Sequence, residues 1–137
     1  MNLAPSAFVA DCALLEALAE HSLPVPFDEE RVLFRQGEAA AGVYVMRRGE
    51  AVLTMQSATG DVVMRLRATA GSVLGLPALI GNEPYSLTAT AERGATVAYV
   101  PREDFDALMR TNPLLSFKVL QVLAAEVRSA RQAIFHL

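Results

Sequence analysis

Tryptophan is absent from this chain and cysteine occurs once, at Cys12. A single thiol cannot close a bridge within the chain, which excludes a disulfide scaffold, and it offers no thiolate cluster for a metal. Histidine is nearly as scarce. His21 and His136 stand far apart in the sequence, so an enzyme that gathers imidazoles around a metal has nothing to gather. No basic segment followed by an apolar run opens the sequence, and nowhere do eighteen apolar residues run together, which argues against a secretion signal and against a membrane span. Basic residues are also few: 12 Lys and Arg against 15 Asp and Glu give a formal net charge of −3. No broad cationic surface is left for phosphates. The expectation is a cytoplasmic protein in a reducing setting, without metal or cofactor, that does not bind DNA by this chain alone.

What the chain has in quantity is apolar surface. With 137 residues, 53% of them hydrophobic, it can bury one core and is short for two, so residues 1–137 read as one domain. Residues 1–22 read as a helical N-terminus. From Ser6 to about His21, Phe8, Val9, Cys12, Leu15, Leu18 and Ala19 recur at helical spacing, with Ser6 as the cap and Cys12 as a small buried apolar residue. Pro24 and Pro26 end the helix. Residues 23–100 then alternate in short runs punctuated by glycine, around Val32, Val43 to Met46, Ala51 to Gln56, Asp61 to Arg67, Ser86 to Glu92 and Ala95 to Val100. In the Asp61 to Arg67 run, Val62, Met64 and Leu66 point inward and Arg65 and Arg67 outward. Gly37 and Gly49 fall at turns that call for positive φ. Seven or eight such strands suit a mainly β fold, a double-stranded β-helix or jelly roll.

Residues 101–137 read as helices. Pro101 precedes a short one with acidic residues in its first turns, and Asn112-Pro113 caps a long one. On the long helix Phe117, Leu120, Ala124, Val127, Arg131 and Ile134 repeat at coiled-coil spacing, interrupted by Arg131. Val119, Val122, Leu123, Ala130 and Ala133 cover a second side. One face can pack on the roll while the other meets a partner.

The stretch that organises the rest runs from Gly71 to Ala91. Two glycines four apart lead a short apolar segment, which breaks at Gly81-Asn82-Glu83-Pro84 and leaves along an alternating strand. Together with Phe34-Arg35-Gln36-Gly37-Glu38, the Tyr44 strand and Gly49, this resembles the cyclic nucleotide-binding superfamily, the fold of catabolite activator-type regulators. The resemblance implies a phosphate-binding cassette in which Gly75 stands at the motif glycine, Leu76 at the ribose-binding glutamate, Tyr85 at the phosphate-binding arginine and Thr88 at the closing threonine. It also implies that the long C-terminal helix pairs with its copy, giving a homodimer through Phe117, Leu120, Ala124, Val127, Arg131 and Ile134. Gly75, Leu76, Pro77, Ala78, Tyr85, Ser86 and Thr88 are then the ligand-binding candidates.

No catalytic constellation stands out. Glu38, Glu50, Asp61 and Glu83 all fall at turns, where carboxylates are ordinarily solvated. Both charged positions of the resembled cassette are replaced here, and each charge-assisted bond is worth about 1.5–3 kcal/mol. The resembled purine-contacting hydroxyls on the long helix would fall near Ala130 and Arg131, and Ala130 has none. Tight cyclic AMP or cyclic GMP binding is therefore not expected. Two readings stand: a regulatory, ligand-sensing dimerisation domain that accepts a different small molecule, alone or as the sensory part of a transcription regulator; or a ligand-free protein–protein interaction module in which Tyr85 and Leu76 plug the former pocket.

Overall fold

Turn residues cut the middle of the chain into short strands, eight among the described residues, which pair into two four-stranded antiparallel sheets. The computed structural model describes residues 10–25 and 30–135. One sheet runs β1 (Leu23–Val25), β8 (Thr96–Pro101), β3 (Gly42–Arg48), β6 (Val73–Leu74); the other runs β2 (Arg31–Phe34), β7 (Thr88–Ala91), β4 (Ala51–Gln56), β5 (Val62–Ala68). This is the expected jelly roll. Pro24 sits in β1, where it pairs opposite Ala98, and β1 lies at a sheet edge where a missing N–H breaks no ladder.

Alternation decides which layer each side chain joins. In β3, Val43 and Val45 pack outward against helices, whereas Met46 packs inside the roll and Tyr44 rests against that inner core. Two cores result. Phe34, Leu53, Met64, Leu66, Leu74, Tyr85 and Val97 fill the roll, and a second cluster lies between its outer face and the helices. Val62 departs from expectation, being 46% exposed. Met55 pairs Met64 but Gln56 pairs Val62, so Val63 is an extra residue that flips the alternation at the hairpin end. Gly37 and Gly49 have positive φ, as their turns require.

Among the described residues, four helices bracket or interrupt the roll: α1 (Cys12–Glu20), α2 (Leu76–Gly81), α3 (Arg102–Thr111) and α4 (Pro113–Phe135). Asp11 caps α1 by accepting from the Leu14 N–H at 3.0 Å. The expected cap, Ser6, and Phe8 and Val9 lie outside the described residues, as do His136 and the side chains of Ala130, Ala133 and Ile134. Cys12 is exposed, contrary to expectation. The buried positions of α1 are Leu14 and Leu18, one turn apart, and Cys12 falls off that line. Asn112 begins α4 as anticipated, its Oδ1 accepting from the Leu115 N–H.

On α4, Leu115, Val119 and Val122 are buried against the roll, while Leu114, Phe117, Leu120 and Val127 are all more than half exposed. Ala124 and Arg131 lie exposed on the same outer line. The two-faced helix read from the spacing is present, and its outer seam faces water along the single chain. Lys118, next to that seam, donates to Asp11 at the α1 cap and so ties α4 to α1; this bond holds the Asp11 carboxyl below its ordinary pKa.

Candidate functional site

The site is built around a glycine. Gly75 has φ +95°, and a Cβ there would lie 3.0 Å from the Tyr85 ring and 3.4 Å from the Gly42 carbonyl oxygen. Both the backbone and the space demand glycine. Directly after it comes α2, six residues with a proline in its first turn. Its far end closes with Asn82 in the left-handed region and with the Glu83 N–H donating to the Ala78 carbonyl at 2.9 Å.

Contacts from three sides hold this segment. The Tyr85 N–H donates to the Glu38 carbonyl at 2.9 Å and the Gly37 N–H returns to the Tyr85 carbonyl at 2.8 Å. Arg102, at the start of α3, donates to the Leu79 and Ala40 carbonyls, each at 3.2 Å. Thr88 accepts from the Gln36 N–H at 2.9 Å, and the Gln36 amide in turn brackets Gln56. Thr88 therefore braces the loop and does not line the cavity beneath it.

Tyr85 fills the centre. Its ring stacks on Phe34 with centroids 4.0 Å apart, and its hydroxyl donates to the Gly42 carbonyl at 2.7 Å. The neighbouring Arg102 N–H donates to the Ala41 carbonyl at 2.9 Å, so by the alternation of an antiparallel ladder the Gly42 carbonyl turns away from β8 and toward Tyr85. Burial raises the Tyr85 pKa above its ordinary value, so the phenol stays neutral. The space left is a cavity of about 30 Å³, walled by Phe34, Leu53, Leu74, Gly75, Pro77, Ala78, Tyr85, Ser86, Leu87 and Glu126. That is room for a water or two. Pockets for drug-sized ligands run to roughly 300–1,000 Å³.

Five of the seven cassette candidates, Gly75, Pro77, Ala78, Tyr85 and Ser86, line this cavity. Leu76 does not. It is fully buried on the opposite side of α2, in the cluster with Val43, Leu79, Val100 and Phe105. The space is filled by Tyr85 stacked on Phe34, and Leu76 belongs to the outer core.

Glu126 was not among the expected site residues. It reaches the cavity from α4, is 9% exposed, and its Oε2 has no hydrogen-bond partner. Burial alone pushes its pKa up to about 8. A signal was present in the sequence. Leu115, Val119 and Val122 define the inner face, and one further turn along it falls on Glu126. Elsewhere, an open groove of about 290 Å³ includes Val25, Arg31, Tyr44 and Tyr99, with the Tyr44 pKa raised by burial to about 12. Among the described residues, no group of three or more His, Cys, Asp or Glu could hold a metal, and no helix is long and apolar enough to cross a membrane.

The profile of the cyclic nucleotide-binding domain matches residues 24–112, more than half of the chain. The chain belongs to that family. Its fold is that of the catabolite activator protein of Thermus thermophilus, with a TM-score of 0.73 at 21% identity over 89% of this chain and 57% of that one. It is also similar in fold to the regulatory domain of Toxoplasma gondii PKA in complex with cAMP, with a TM-score of 0.68, 24% identity, and 86% and 43% of the two chains covered. Among curated proteins, a lysophospholipase of Neurospora crassa is 23% identical over 105 residues, 77% of this chain but 7% of that protein. The chain thus spans a small part of that lysophospholipase and 57% of the Thermus chain.

Proposed function

We propose that this chain is a non-enzymatic regulatory module of the cyclic nucleotide-binding family that works as a homodimer through α4 and whose cassette is closed to cyclic nucleotides. One observation carries the reading: Tyr85, stacked on Phe34 and bonded to Gly42, takes up the cassette and leaves about 30 Å³. Among the described residues, no lysine or arginine lines that space to meet a phosphate. Of the two readings open at the outset, this favours the interaction module with a plugged pocket. The exposed line of Leu114, Phe117, Leu120, Ala124, Val127 and Arg131 supports pairing, because a continuous apolar stripe on a helix is stabilised by cover. A single domain acting in the cytoplasm, alone or as the sensory part of a transcription regulator, completes the proposal.

Calorimetry and sedimentation test it together. No heat is expected from cyclic AMP or cyclic GMP at high micromolar ligand, and a dimer is expected at micromolar protein. Tight nucleotide binding by the wild type would overturn the closed cassette. A wild-type monomer, or a dimer left intact by Leu120→Glu with Val127→Glu, would overturn pairing through α4.

A further inference from the structure

We propose that Glu126 is a proton-operated latch: protonated, it holds α4 closed over the cassette, and on losing its proton it opens the cavity beneath α2 to solvent. The inference rests on the closed-cassette reading. Its geometric basis is a carboxyl group carried on a helix, 9% exposed, turned into an apolar cavity with one oxygen unpartnered. A neutral acid is tolerated in such a place, whereas a carboxylate needs a cation, several donors or water.

Among the described residues, the cavity wall supplies no cation to answer a carboxylate. Tyr85 is the one titratable group besides Glu126 among the described residues of that wall, and its hydroxyl is already given to Gly42. The helix α2 carries no charged residue. From β5, Arg67 is paired with Glu50 at 3.0 Å, and Arg65 is exposed. The charges of α3 are Arg102, which is bonded to the Leu79 and Ala40 carbonyls, Glu103, Asp104, Asp106 and Arg110. On the side of α1 stand Glu16, Glu20 and the Asp11 cap, with Lys118 of α4 bonded to that cap; Arg128 and Arg131 of α4 are exposed. Burial is accordingly the cause of the raised Glu126 pKa.

Opening returns the side chain to water and to an ordinary pKa of 4.5, against about 8 when closed. Between those values the open form has lost the proton that the closed form keeps. The opening constant therefore rises tenfold per pH unit across this window and levels off above it.

Hydrogen exchange on the full chain from pH 5 to 9, normalised for the intrinsic pH dependence of amide chemistry, reads this directly. Amides of α2 and of α4 around 119–127 should lose protection about tenfold per pH unit up to about 8, and Glu126→Gln should remove the slope. A flat wild-type profile, or the same slope in Glu126→Gln, overturns the latch. Should Glu126→Gln not fold, the carboxyl carbon of Glu126 in labelled wild type decides: a midpoint near 8 supports the latch and one between 4 and 5 overturns it. A cyclic AMP arm separates the two proposals, since heat of binding would refute the closed cassette while leaving the Glu126 midpoint as measured.

Discussion

Replacing Tyr85 with phenylalanine removes one oxygen from the most crowded part of the molecule. The hydroxyl donates to the Gly42 carbonyl at 2.7 Å, and that carbonyl turns away from β8, whose Arg102 N–H is given to Ala41, so the ladder has no donor to substitute. A buried acceptor left unpaired costs about 1–3 kcal/mol. For a domain of 137 residues, with an unfolding entropy of about 2.1 cal/mol/K per residue, this is a fall in Tm of roughly 3–10 °C. Tyr85→Ala should cost more, about 3–5 kcal/mol, because the stack on Phe34 at 4.0 Å is lost and a cavity remains beside Gly75. Urea unfolding at fixed protein concentration measures both, and an unchanged m-value keeps the comparison on stability. If Tyr85→Phe unfolds within about 0.5 kcal/mol of wild type, the hydroxyl is not a clamp and the stack alone holds the plug.

The pH dependence of stability carries a definite sign. The folded-state pKa of Glu126, about 8, lies above its ordinary 4.5, so its contribution is fullest at low pH and falls by about 1.4 kcal/mol per unit between those values. Wild type minus Glu126→Gln in urea midpoints across pH 5–9 isolates this, and a difference that grows in the opposite direction would refute the burial argument. Arg102→Met should cost about 1–3 kcal/mol and speed exchange at the end of α2, because the Leu79 and Ala40 carbonyls lose their donor; unchanged exchange at residues 79–82 would mean that the Asn82 cap suffices.

The roll was legible because its signals are local. Alternation and turn glycines act over a few residues, so the strands from Val32 to Val100 emerge nearly as drawn, and the Asn112-Pro113 start of α4 is a chemical cap. Features set by tertiary geometry were not. Pro24 hid β1, since the tolerance of an edge for proline is visible only when the strand order is known. Val62 was turned outward by a bulge that no pattern within its own strand records. Leu76 faced away from the cavity because a six-residue helix entered through a left-handed glycine sets its own phase, which spacing relative to a family motif does not fix. Glu126 lay on the line of Leu115, Val119 and Val122, but a carboxylate beside an apolar face is ordinarily solvated, and only the packing of that face on the roll shows it buried.

These placements change what restoring a nucleotide site would require. Leu76 looks, by position, like the residue to replace with a ribose-binding glutamate. In the fold it is fully buried among Val43, Leu79, Val100 and Phe105, so a carboxylate there would be an unpaired buried charge and would unsettle the outer core before reaching any ligand. Tyr85 is the residue in the way. A nucleotide entering the cassette must first displace a stacked, hydrogen-bonded ring, and at about 3–5 kcal/mol that displacement alone weakens binding by roughly two to four powers of ten. It would then meet Glu126, whose ionised form repels a phosphate and whose neutral form offers it one donor. On the proposed reading, the frame around Gly75 keeps the course of a ligand cassette while Tyr85 and Phe34 occupy the space within it.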